Sequence, residues 1–242
     1  MIRFFLVIAC LFGLAGCATG PVDGYPAHGA DDGPEIVGSL FASDQAVMSD
    51  AAVQQALDGV VNMPENARIA LLDLSPKTQA VRHYGWYYWR SEDYMDQQAQ
   101  YFDALSTPLV TLPGVRRVVP MPSFTVTKEM TLSQIREAAV RLQIDQLVIY
   151  SLRSDIFYKW RFLSANEVRG YATCELALFD TRTGIMPYTS IVTHKEVVMQ
   201  KSSQEGLAET EMRAEVAASE ICLKKIAAGT ADFVGRGGRH GQ

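Results

Sequence analysis

Apolar and polar positions follow three rhythms along this chain, and each predicts a different element. "RIALLDL", Arg68 to Leu74, is a short unbroken apolar run, the pattern of a strand covered on both faces. "TLSQIREAAVRL", Thr131 to Leu142, puts Leu132, Ile135, Ala139 and Leu142 at helical spacing behind Thr131 and Gln134 in capping-box register. In Tyr171 to Leu178 the apolar set Ala172, Cys174, Leu176 and Leu178 alternates with Tyr171, Thr173, Glu175 and Ala177, as in a half-buried strand.

The remaining elements are read between these. A helix from Ser43 or Ser49 to Val61 has Val53, Ala56, Leu57, Val60 and Val61 on one face and is closed by Pro64. Ser91 caps a second helix with Glu92 and Asp93 in its first turn; Tyr94, Tyr101, Phe102 and Leu105 form its buried face and Pro108 stops it. "GVRRVVPMP", Gly114 to Pro122, is a strand ended by prolines, and "DQLVIYSL", Asp145 to Leu152, is the next. Thr181-Arg182-Thr183-Gly184 makes a turn into an antiparallel strand from about Met186 to Met199. A long helix from Ser203 to about Gly229 carries Met212, Val216, Leu223 and Ile226 on its stripe. The order β-α-β-α-β-β-β-α implies an α/β fold with α+β character in its second half. A single mixed sheet of about five strands is expected, with right-handed crossovers joining its first, parallel part.

The amino terminus adds an address. Arg3 precedes an apolar run, Phe4 to Leu14, too short to span a bilayer, followed by Leu14-Ala15-Gly16-Cys17. The phrase resembles the lipobox of bacterial lipoproteins, which implies cleavage after residue 16 and acylation of Cys17. Ala18, where an aspartate would retain the protein at the inner membrane, points to the outer membrane. The chain therefore divides into a signal peptide (1–16), a lipidated cysteine and tether (17–42), an N-terminal helix (43–66), a mixed α/β periplasmic domain (67–230) and a disordered tail (231–242). The 24 residues from Ala18 to Phe41, rich in Gly, Pro and Asp, would span roughly 25–30 Å as a flexible coil.

The phrases "RIALLDL", "AVRLQIDQLVIYSL" and "CELALFDTRTG" resemble a periplasmic domain found in three settings. These are the curli-secretion channel lipoprotein, the penicillin-binding-protein activator lipoproteins and the amino-terminal domain of the Tol-Pal translocation protein. The resemblance covers about Ala67 to Gly229 and implies the fold more than a function. The long amphipathic hairpins with which the channel members enter the membrane have no counterpart here.

Composition narrows the chemistry. A net charge of -5 argues against nucleic acid as a partner. No nucleophile elbow or phosphate loop is present, and neither His83 nor His194 has a metal-binding spacing with another His or Cys, so no enzyme activity, metal or cofactor is expected. His194 reads as an exposed strand residue, and Asp73 and Asp180 as strand-end turn formers. Cys174 and Cys222 remain after the signal and lipid account for the other two cysteines. They are open to two readings, a disulfide or two small buried hydrophobes.

Two aromatic phrases stand out. "HYGWYYWR" contributes Trp86, Tyr87, Tyr88, Trp89 and Arg90, and "DIFYKWRF" contributes Tyr158, Trp160 and Arg161. Parallel pairing of the first and third strands is expected to bring them together. They read as a satellite packing cluster, a protein-binding patch or a glycan-stacking surface. The protein expected is an outer-membrane-anchored, non-catalytic envelope accessory or assembly factor that binds another protein. The alternative is a lipoprotein that binds peptidoglycan or exopolysaccharide, and homo-oligomers through strand edges remain open.

Overall fold

The computed structural model describes residues 49–59, 63–76, 92–122, 125, 130–159, 166–201 and 206–237. Its elements are α1 (Asp50–Leu57), β1 (Ala67–Asp73), α2 (Glu92–Val110), β2 (Val115–Pro120), α3 (Leu132–Arg141), β3 (Gln146–Lys159), β4 (Glu167–Asp180), β5 (Tyr188–Met199) and α4 (Leu207–Gly235). The five strands form one mixed sheet in the order β2-β1-β3-β4-β5. β1 pairs in parallel with β2 and β3, whereas β3, β4 and β5 are antiparallel neighbours. The element order and the mixed α/β sheet are those the apolar rhythms predict.

The two crossovers from β1 to β2 and from β2 to β3 run in opposite directions along the sheet. Right-handed connections then require their helices on opposite faces. They are found there: α2 packs with α4 over Ile69, Leu71, Val148, Cys174 and Leu176, while α3 packs beneath Ala70, Leu72, Leu147, Ile149 and Phe179. Thr131 and Gln134 close the capping box of α3, and Ser49 caps α1.

The differences from expectation each have a local cause. α1 ends at Leu57, seven residues before Pro64. Pro108 lies inside α2, where the helix runs on to Val110; the missing N–H falls in the last turn, and the Thr111 hydroxyl donates to the Pro108 carbonyl at 2.9 Å. α4 passes through Gly229 and ends at Gly235, so residues 231–235 are not a tail. Phe233 is buried there and stacks on Tyr188 of β5, with ring centroids 4.8 Å apart.

The buried stripe of α4 also differs from prediction. Ala214, Ala218, Cys222, Leu223, Ile226 and Ala227 face the sheet, whereas Met212 and Val216 are only half-buried. A Cβ built at Gly170 of β4 would lie 2.2 Å from the Ala214 carbonyl oxygen, so helix backbone rests on strand backbone. Only small residues fit at such a crossing.

At the other end of β4 the turn is tied by buried polar groups. The Asp180 carboxylate accepts from Gln146 Nε2 at 2.6 Å and Thr183 N at 2.8 Å, and Arg136 of α3 donates to the carbonyls of Thr181 and Arg182 at 2.7 and 2.6 Å. Gly184 adopts φ +78°, a region L residues avoid.

Gly170→Ala tests the crossing. Its methyl must displace α4, with an expected loss of about 1–3 kcal/mol in chemical denaturation; an unchanged midpoint would show that α4 does not rest there.

Candidate functional site

Strand length against helix length decides what the sheet leaves open. β3 and β4 have 14 residues each and β5 has 12, so the two longer strands extend roughly 45 Å at about 3.3 Å per residue. α3 has 10 residues, about 15 Å of helix. It covers one face of β1, β2 and only the first part of β3. Beyond Ser151, no helix or strand among the described residues covers the β3 face opposite α4, and the same face of β4 and β5 continues it.

Cross-strand register sets the order of side chains on this open face. One rung reads Phe157–Arg169–Val197, the next Asp155–Tyr171–Lys195, then Arg153–Thr173–Thr193, with Glu175 opposite Ile191 beyond. The apolar members are exposed: Ile191 71%, Phe157 54%, Val197 44%, Met199 42% and Tyr171 38%. Charged groups between them are held by each other. Arg153 donates to Glu175 and Arg169 to Glu167, each at 2.6 Å. The Arg169 guanidinium is held above its ordinary value by its bonds to Glu167 and Tyr171.

Of the residues singled out from sequence, Cys17, His83, Trp86, Tyr87, Tyr88, Trp89, Arg90, Trp160 and Arg161 lie outside the described residues. Tyr158 is described. It is half-buried on the α4 side of β3, opposite Val168, while its neighbour Phe157 points to the open face. The expected meeting of the two aromatic phrases falls on residues outside those described. Among the described residues β1 meets β3 from Ile69–Gln146 to Asp73–Tyr150. Among the described residues β3 continues beyond Tyr150 beside β4.

Tyr150 is the ring that lies beside the end of β1. Burial, and secondarily the charge of Asp73, raises its hydroxyl far above the usual tyrosine range; Tyr94 is raised by the same two causes. The Asp73 carboxylate accepts from Ser75 N at 2.8 Å and from its hydroxyl, and Ser75 Oγ in turn accepts from Leu152 N at 2.9 Å. Asp73 and Asp180 are thus turn formers, as expected.

His194 is not an exposed strand residue. Its side chain is 18% exposed and faces α4, where Nδ1 accepts from Lys225 Nζ at 3.0 Å and Nε2 lies 3.2 Å from Glu196 Oε2. These partners assign the proton to Nε2. Among the described residues, no three metal-ligating side chains come together, and no helix is long and apolar enough to cross a membrane.

No protein-family model matches the sequence, and comparison with curated proteins finds no match. Solved structures to which the chain is similar include a hypothetical protein from Chlamydia trachomatis, at 12% identity over 70% of this chain and 98% of that one, with a TM-score of 0.43. A minor lipoprotein from Acinetobacter baumannii is similar at 9% identity over 74% and 94%, with a TM-score of 0.32. A lipoprotein from Neisseria meningitidis is similar at 14% identity over 62% and 96%, with a TM-score of 0.28. Two of the three are bacterial lipoproteins. Likeness at this level says nothing of what the chain binds.

The Tyr150 environment predicts alkaline behaviour. The unfolded chain ionises near pH 10 and the folded chain only above it, so this group leaves stability unchanged below about pH 10 and lowers it as pH rises further. Tyr150→Phe should flatten that decline in denaturation midpoints measured from pH 9 to 12; an identical slope in both proteins would contradict the assignment.

Proposed function

We propose that this chain is an outer-membrane lipoprotein that acts without catalysis, as an envelope accessory or assembly factor, by binding another protein through the open face of β3, β4 and β5. The observation that carries this reading is the run of exposed Phe157, Tyr171, Ile191, Val197 and Met199 among paired charges. Soluble domains rarely leave such a surface without use, and aromatic, Met and Arg side chains are the ones enriched where proteins meet. The aromatic residues Trp86, Tyr87, Tyr88, Trp89 and Trp160, with Arg90 and Arg161, belong to the same proposal as further anchors.

The lipobox phrase Leu14-Ala15-Gly16-Cys17 supports lipid anchoring, and the resemblance to the curli-secretion, activator and Tol-Pal domains supports an envelope setting. An anchored domain on a tether is confined near the membrane, so a weak contact there is occupied at partner concentrations that would leave it empty in solution. No covalent step or cofactor is part of this function.

Two variants test the parts separately. Cys17→Ala should abolish labelling by palmitate and release the chain from the membrane fraction, while persistence of label would refute the anchor. Ile191→Asp should leave the folding midpoint within about 0.5 kcal/mol, since the side chain is exposed. It should also weaken capture of the partner by a photo-crosslinker at Val197 about tenfold or more, the effect of losing an interface anchor. Crosslinks to glycan instead of protein would favour the carbohydrate-binding alternative, and an unchanged adduct pattern in Ile191→Asp would exclude this face.

A further inference from the structure

The long helix and the sheet bring together two cysteines that are 48 residues apart in the chain. Cys174 is on β4 and Cys222 on α4; both are thiols, 0% exposed, and members of one core cluster. The sulfur of Cys222 sits over the β4–β5 ladder, 3.2 Å from the Val192 carbonyl oxygen and 3.6 Å from that of Ala172. Val192 is the cross-strand partner of Cys174, and Ala172 is its neighbour on the same face. Cys222 Sγ is therefore lodged at the Cys174 rung. The neighbouring Cys222 sulfur and burial raise the Cys174 thiol above its ordinary value, while Cys222 is lowered by the same neighbour.

We infer that Cys174 and Cys222 are a covalent cross-linking site, closed to a disulfide when the chain folds in contact with a small-molecule or protein disulfide. One cysteine, as thiolate, attacks the donor disulfide and displaces one donor thiol, leaving a mixed disulfide. The second cysteine attacks the sulfur of the first and displaces the other donor thiol. Together the two cysteines lose two protons and two electrons, and the donor's S–S bond is reduced to two thiols.

Burial sets the order of events. A donor cannot reach a fully covered sulfur, so exchange precedes the seating of α4 on β4. Afterwards the same burial shields the bond from reductants.

The bond would also matter to the open face. Cys174 is flanked on β4 by Thr173 and Glu175, and its partner Val192 is flanked on β5 by Ile191 and Thr193. A bond from α4 to this rung fixes the sheet directly behind Ile191. The inference does not require the face to bind anything, and the two are tested by different readouts.

The test uses the full chain carrying Cys10→Ser and Cys17→Ser, refolded from denaturant in a mixture of oxidised and reduced glutathione, then alkylated in denaturant and mapped by mass spectrometry. The expected product is a monomer with a linked peptide pair containing Cys174 and Cys222, alkylated at neither unless first reduced. Its melting temperature should fall by about 10 °C when the bond is reduced, as closure of a loop of this size implies. Comparing the oxidised and reduced forms of one chain avoids variants that fail to fold. Cooperative refolding with both cysteines alkylated, with glutathione adducts, or with disulfide-linked dimers would overturn the inference.

Discussion

The seat of α4 on β4 is the constraint on which the rest of the structure depends. Gly170 has no side chain, and its missing Cβ is the space the Ala214 carbonyl occupies. The helix is 29 residues long in all, about 44 Å at 1.5 Å per residue, and crosses from β4 onto β5. Its contacts follow in order: Ala214 at Gly170, Cys222 at the Ala172 and Val192 carbonyls, Lys225 at His194, and Phe233 on Tyr188. Rotating the helix by one residue would swing each by about 100° and break all four together. A backbone-to-backbone contact tolerates no such adjustment, because it has no flexible side chain to absorb it.

That anchoring explains how three long strands stand with one face that no described helix or strand covers. β3, β4 and β5 bury Leu152, Val168, Ala172, Cys174, Leu176 and Val192 wholly or partly against α4. A sheet packed on one side only alternates covered and open positions, and β5 does so along its whole length. On the open side, Arg153–Glu175 and Arg169–Glu167 are partly exposed pairs, which water screens so that each adds little to stability. Their consequence is more for specificity than for stability: a partner covering the face meets two arginines already paired, beside rings and aliphatic side chains that gain from losing water.

Much of this was legible in the sequence, and what was not has a physical reason. The capping box at Thr131, the two-faced burial of β1 and the alternation of β4 are local patterns, and each reports its own element. The stripe of α4 was misread because Ala214 and Ala218 look unremarkable beside Met212 and Val216. The importance of Ala214 lies in Gly170, more than forty residues away. His194 was misplaced for the same reason, since its partner Lys225 is on another element. The open face was equally hidden: alternation shows that one side of a strand is wet, but not that three wet sides form one surface. Register does that, and only pairing reveals it.

The edge of the sheet completes the argument for a selective surface over a sticky one. Among the described residues β5 has β4 on one side and no strand on the other, a geometry that invites indiscriminate pairing. Lys195 stands in mid-strand on the open face with Thr193 and Val197 around it, and a second copy pairing antiparallel about that point would set lysine against lysine. At the opposite edge β2 carries Arg116 and Arg117 and ends in Pro120, which has no N–H to donate. Both edges thus carry positive charge, which disfavours edge-to-edge stacking of copies. A partner that pairs along β5 must bring a group that Lys195 attracts, and that requirement turns an exposed strand into a selective one.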